Sequence, residues 1–111
     1  MVEIGLFEKV DLAPSESKTV TIYKVSPGRI LTTKNIVFSF PFGTNYEVEV
    51  EVFRNDTKEL PKNTKVVGEN EQIKFEVGIK FYADEEIRVK ARNLSDTESK
   101  TVLVKVDAIE E

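Results

Sequence analysis

Tyr46-Glu47-Val48-Glu49-Val50-Glu51-Val52-Phe53 alternates apolar and acidic residues with a period of two, the rhythm of a β-strand and of no other regular structure. Successive strand side chains point to opposite faces, so Tyr46, Val48, Val50 and Val52 share one side and Glu47, Glu49 and Glu51 the other. One face is dry and the other wet. The same rhythm recurs in both directions from this segment, punctuated by Pro, Gly, Asn, Asp and Ser clusters, which predicts an all-β fold built from antiparallel strands.

Toward the N-terminus, Val2, Ile4 and Leu6 alternate with Glu3, Gly5 and Phe7 up to a turn at Pro14-Ser15-Glu16-Ser17. Thr19 to Val25 reads as a β-branched strand closed by Ser26-Pro27-Gly28. Ile30, Thr32, Ile36, Phe38, Phe40 and Phe42 then share a parity along a third strand whose end Pro41 confines to an edge or a bulge. Toward the C-terminus, Arg54-Asn55-Asp56-Thr57 is a turn, Leu60 to Asn63 is irregular, and Lys65-Val66-Val67 is a short edge strand. Ile73, Phe75, Val77, Ile79 and Phe81 alternate strictly, with Gly78 placed to form a bulge. After Tyr82-Ala83-Asp84-Glu85-Glu86, Ile87, Val89 and Ala91 alternate with Arg88, Lys90 and Arg92, and Val102, Val104, Val106 and Ala108 line a last strand. The expectation is an antiparallel two-sheet sandwich of seven or eight strands, a jelly roll or another Greek key, spanning residues 1–111 as a single domain.

Composition narrows the chemistry. The 111 residues contain no histidine and no cysteine, which removes the general base poised near neutral pH, the imidazole and thiolate metal ligands, and the Ser-His and Cys-His nucleophilic pairs. No enzyme is expected and no cofactor. A formal net charge of −4 lacks the cationic footprint that nucleic-acid binding requires. No run approaches the roughly 20 apolar residues of a membrane span, and Met1-Val2-Glu3-Ile4-Gly5 is unlike a secretory signal, so the chain reads as soluble and unsecreted, cytoplasmic or assembled in a particle. Many Glu and Lys residues with one Gln and one Met resemble the composition of heat-adapted proteins.

Several groups remain as candidate functional residues. Glu47, Glu49 and Glu51 are spaced about 7 Å apart along one strand face and could hold a hard cation or act as an acid and base pair. The plainer reading is a solvated face opposite Arg88, Lys90 and Arg92 on a neighbouring strand. Asp84-Glu85-Glu86 lacks the Asp-x-Asp-x-Asp-Gly order of a calcium loop and reads as a hydrated turn. Asn55-Asp56-Thr57 and Asn93-Leu94-Ser95 are glycosylation sequons only on a secretory route, and otherwise mark turns. Phe42 and Tyr46 flank a turn and Tyr82 ends a strand. Aromatics so placed are candidates for a protein interface or for stacking on a sugar.

Thr19-Val20-Thr21-Ile22-Tyr23-Lys24-Val25-Ser26-Pro27-Gly28, followed by Thr33-Lys34-Asn35-Ile36, resembles the opening of small β-sandwich structural proteins of tailed viruses and their proviruses. Asp84-Glu85-Glu86-Ile87-Arg88-Val89, Asn93-Leu94-Ser95 and the strand carrying Val102, Val104 and Val106 resemble their closing half. That resemblance implies a component of a virion or virus-like particle that acts as an oligomer and has no active site. The expected function is therefore a non-catalytic structural or assembly module that self-associates or binds another protein. A carbohydrate-binding or other recognition sandwich is the alternative, and a carboxylate-based enzyme the third reading.

Overall fold

A computed structural model, which describes residues Met1–Glu111, folds the chain into nine strands. They are β1 (Val2–Leu12), β2 (Ser17–Lys24), β3 (Leu31–Phe40), β4 (Val48–Arg54), β5 (Thr57–Leu60), β6 (Glu71–Phe75), β7 (Lys80–Phe81), β8 (Glu86–Asn93) and β9 (Lys100–Glu110). One sheet has the order β1-β9-β3-β6, with β7 also paired to β3; the other has the order β2-β8-β4-β5, and every pairing is antiparallel.

Alternation sets this architecture. Val48, Val50 and Val52 are fully buried, and so are Ile87, Val89 and Ala91 beside them on β8. Across the sandwich Val102, Val104 and Val106 of β9 and Ile36, Phe38 and Phe40 of β3 close the same core, a single cluster of 21 buried apolar residues. Each large side chain withdrawn from water there contributes about 1.5–3 kcal/mol. That is what orders two sheets without a disulfide.

The strand count and four local readings differ from expectation. Nine strands replace seven or eight, because Asn55 at φ 49° reverses the chain tightly enough for β5 to form a hairpin with β4. The stretch Ile73 to Phe81 is not one strand, since β6 and β7 pair with separate halves of β3 and leave residues 76–79 between them. A bulge between Thr33 and Asn35 is responsible. It turns Thr33 inward, where its hydroxyl donates to the Val77 carbonyl at 2.5 Å and accepts the Ile79 N–H at 2.8 Å, holding the interrupted segment against β3. The same bulge shifts parity, so Leu31 and Thr33 are buried while Ile30, expected on the inner face, is exposed. Lys65-Val66-Val67 forms only an isolated bridge from Val66 to Val50. Tyr46 is the fourth difference: it lies outside β4, at φ 59°, and is exposed where the valines are buried.

Candidate functional site

The strands converge at one end of the sandwich on the loop from Pro41 to Glu47, which joins β3 to β4. Pro41 cannot extend the β3 ladder, and Gly43 at φ 92°, Asn45 at φ 52° and Tyr46 at φ 59° reverse the chain through left-handed conformations. For a tyrosine this conformation is unusual, and the surrounding contacts impose it. The Tyr46 N–H donates to the Gly68 carbonyl at 3.1 Å, the Glu47 N–H to the Thr44 carbonyl at 3.0 Å, and the Leu94 N–H to the Glu47 carbonyl at 2.7 Å. Thr44, itself buried, donates through its hydroxyl to the Pro41 carbonyl at 2.6 Å.

Two charged side chains brace the loop from either side. The Glu69 carboxylate accepts the N–H groups of Asn45 at 2.6 Å and Gly43 at 3.1 Å. Those two backbone donors hold its pKa below the ordinary carboxylate value. Lys100, with only 4% of its side chain exposed, donates to the Gly43 carbonyl at 2.6 Å and pairs with Glu98 at 3.3 Å and Glu47 at 3.4 Å. Its burial disfavours the charge, yet hydrogen bonds to Glu98 and Glu47 outweigh that and raise its pKa. Gly68 completes the brace because the Phe40 ring lies where a side chain would stand, with Cδ2 only 2.5 Å from an added Cβ.

On this braced backbone Phe42 is 85% exposed and Tyr46 58% exposed, and Leu94 is exposed beside Glu47. A lone exposed apolar side chain needs no explanation; three on or beside one braced loop make it the candidate contact region. Tyr82 is not part of it. It follows β7, which pairs with the Leu31 end of β3, so nine strand residues, or roughly 30 Å at 3.3 Å per residue, separate it from the Phe42 end. The Tyr82 N–H donates to the Glu85 carboxylate at 2.6 Å, within the turn carrying Asp84 at φ 67°.

The acidic face is placed with equal clarity. Register sets Glu49 opposite Arg92 and Glu51 opposite Lys90 on β8, while Phe53 faces Arg88. The ion pairs run elsewhere: Glu51 to Lys58 at 3.1 Å, Glu49 to Lys65 at 3.4 Å and Glu47 to Lys100 at 3.4 Å. Each carboxylate is answered by its own lysine. Arg88 binds Asp56 at 2.9 Å and Glu86 at 2.8 Å. Leu94, Glu69 and Lys100 were missed from sequence, since each enters the site through contacts across strands distant in the chain.

The protonation of Glu69 gives a direct measurement. A carboxyl whose pKa is depressed by folding contributes stability above its ordinary pKa of 4.5 and loses it as pH falls through the lower folded value. The amide resonances of Gly43 and Asn45 are therefore expected to titrate together with a midpoint below 4.5, and to lose that step in Glu69→Gln. A midpoint at or above 4.5 would show that the carboxylate does not clamp the loop.

No protein-family model matches the chain, and no curated protein matches it. Among solved structures, the fold is similar to a chain of the cyanophage Pam1 capsid asymmetric unit, with a TM-score of 0.53 and 9% identity over 96% of this chain and 83% of that one. A de novo designed double-stranded β-helix (TM-score 0.36, 21% identity, 93% of this chain and 97% of that one) and the Drosophila NLP core (TM-score 0.41, 20% identity, 94% and 98%) align less well. The likeness to a viral β-structure protein holds at the level of fold.

Proposed function

We propose that the protein is a non-catalytic structural or assembly module, a component of a virion or virus-like particle, whose residues 1–111 act as one β-sandwich domain. The observation that carries this reading is the pair of exposed aromatics, Phe42 and Tyr46, on a loop immobilised by Glu69 and Lys100. Exposed aromatics on rigid backbone bury area at low entropic cost and are typical anchors of protein interfaces. The strand orders β1-β9-β3-β6 and β2-β8-β4-β5 support a jelly roll, an arrangement used by viral capsid domains, and the likeness to the cyanophage capsid chain supports the same assignment. The partner is protein, in the first place other copies of the chain. The charged faces serve as solvated flanks, with Glu47, Glu49 and Glu51 paired to lysines and Arg88 to acidic residues.

Light scattering tests the reading. The mass is expected to rise above the 12.6 kDa of one chain as concentration increases, and Phe42→Ser combined with Tyr46→Ser is expected to weaken that rise without changing the circular dichroism. A wild-type mass fixed at one chain up to about 1 mM, the weak limit of useful association, would overturn the assignment.

A further inference from the structure

We propose that β1 is a homodimer edge, pairing antiparallel with β1 of a second copy in the register that sets Leu6 opposite the partner copy's Leu6. This rests on the assembly reading above and adds to its Phe42 and Tyr46 loop a second contact between copies, the free edge of β1. β1 pairs with β9 along its whole length, Val2–Leu12, and with no strand on its other side. That side therefore presents a row of backbone donors and acceptors eleven residues long. Only its far end is covered, where Lys18 donates to the Asp11 carbonyl at 2.7 Å.

Side chains choose the register. On the outer face of β1 stand Glu3, Gly5, Phe7, Lys9 and Asp11, all exposed. With Leu6 on the two-fold axis, Lys9 of each copy lies opposite Glu3 of the other, and Phe7 of each copy lies opposite Gly5 of the other. A shift of the axis to Phe7 would set Glu3 against Asp11, two like charges twice over. A shift to Gly5 would set Phe7 against Glu3 and strand both lysines. Of these three registers only the one centred on Leu6 is complementary in charge.

It also fills space. Gly5 has no side chain to cover the sheet beside Asp107, and a recess of about 270 Å³ opens there between Glu3, Lys34, Asn35 and Asp107. Phe7 is 63% exposed on the same face, two residues away. In the paired arrangement an aromatic ring lies over the glycine opposite, the contact by which aromatic side chains compensate cross-strand glycines. Lys34, already 3.2 Å from Glu3, rims the recess, so Glu3 gains Lys9 of the second copy as a further cation. Lys9 gives up only a 4.0 Å pair with Asp11. On the inner face, half-buried Glu8 comes opposite Ile4 and remains at the wet seam between copies.

Charge reversal tests the register on residues whose exposure leaves the fold intact, with sedimentation equilibrium of the full chain as the readout. Glu3→Lys alone and Lys9→Glu alone are each expected to raise the dimer dissociation constant about tenfold or more, and the double reversal to restore it to within about threefold. Phe7→Ser is expected to weaken the dimer, since it empties the recess. If the wild type associates and the reversals neither weaken nor rescue it, the β1 assignment is wrong while the assembly reading stands. A wild type that stays monomeric at every concentration overturns both.

Discussion

Val50→Glu is expected to abolish the native fold, while Glu49→Val, one residue away, is expected to leave the unfolding free energy within about 1 kcal/mol of wild type. The two positions differ only in the face they occupy. Val50 is fully buried, opposite Ala91 on β8 and bridged to Val66, and no cation reaches that face of β4. A carboxylate placed there is desolvated without a partner, which costs several kcal/mol and consumes most of the 5–15 kcal/mol that typically stabilises a domain. Glu49 contributes only its half-exposed ion pair with Lys65 at 3.4 Å, worth about 1 kcal/mol or less, and valine suits a strand. Guanidinium unfolding followed by far-ultraviolet circular dichroism separates the cases: Glu49→Val should retain a cooperative transition near the wild-type midpoint, and Val50→Glu should show none. A cooperative Val50→Glu transition within about 1 kcal/mol of wild type would contradict the placement of β4.

That contrast also marks what sequence could reveal. Along β4, β8 and β9 no residue is inserted, so parity alone identifies Val50, Val89 and Val104 as core and Glu49, Lys90 and Lys105 as outward. Where a residue is inserted, parity misleads: past the bulge between Thr33 and Asn35 the inward positions shift by one, which is how Thr33 took the place expected for Thr32. Tyr46 continued the alternation in writing, but a left-handed backbone held by the Gly68 carbonyl takes it out of the strand. Phe42 and Tyr46 could be proposed as surface aromatics because Pro41 and Gly43 announce a turn. Their brace could not, because Glu69 lies 24 residues from Asn45 and Lys100 lies 57 from Gly43. Such contacts depend on which strands become neighbours, and alternation carries no record of strand order.

Phe38→Ala is expected to cost about 3–5 kcal/mol and to release the loop end of the sandwich before the rest of the fold. Phe38 is fully buried in β3, between Val104 of β9 and Ile73 of β6, and its ring meets Phe75 edge-on at 5.9 Å and 77°. β6 is an edge strand of five residues whose apolar side chains, Ile73 and Phe75, are only half-buried. Its hold on the sheet therefore depends on the ring that alanine would remove. Directly before β6 lie Gly68, which accepts the Tyr46 N–H, and Glu69, which accepts those of Gly43 and Asn45. Loss of β6 thus removes the clamp that fixes Phe42 and Tyr46. Hydrogen exchange should show protection falling first across residues 68–75 and then at Gly43, Asn45 and Tyr46, while β8 and the centre of β9 keep theirs until global unfolding. Uniform loss of protection, or a destabilisation below about 1 kcal/mol, would mean that β6 is held by its backbone ladder and that the aromatic loop is independent of the core beneath it.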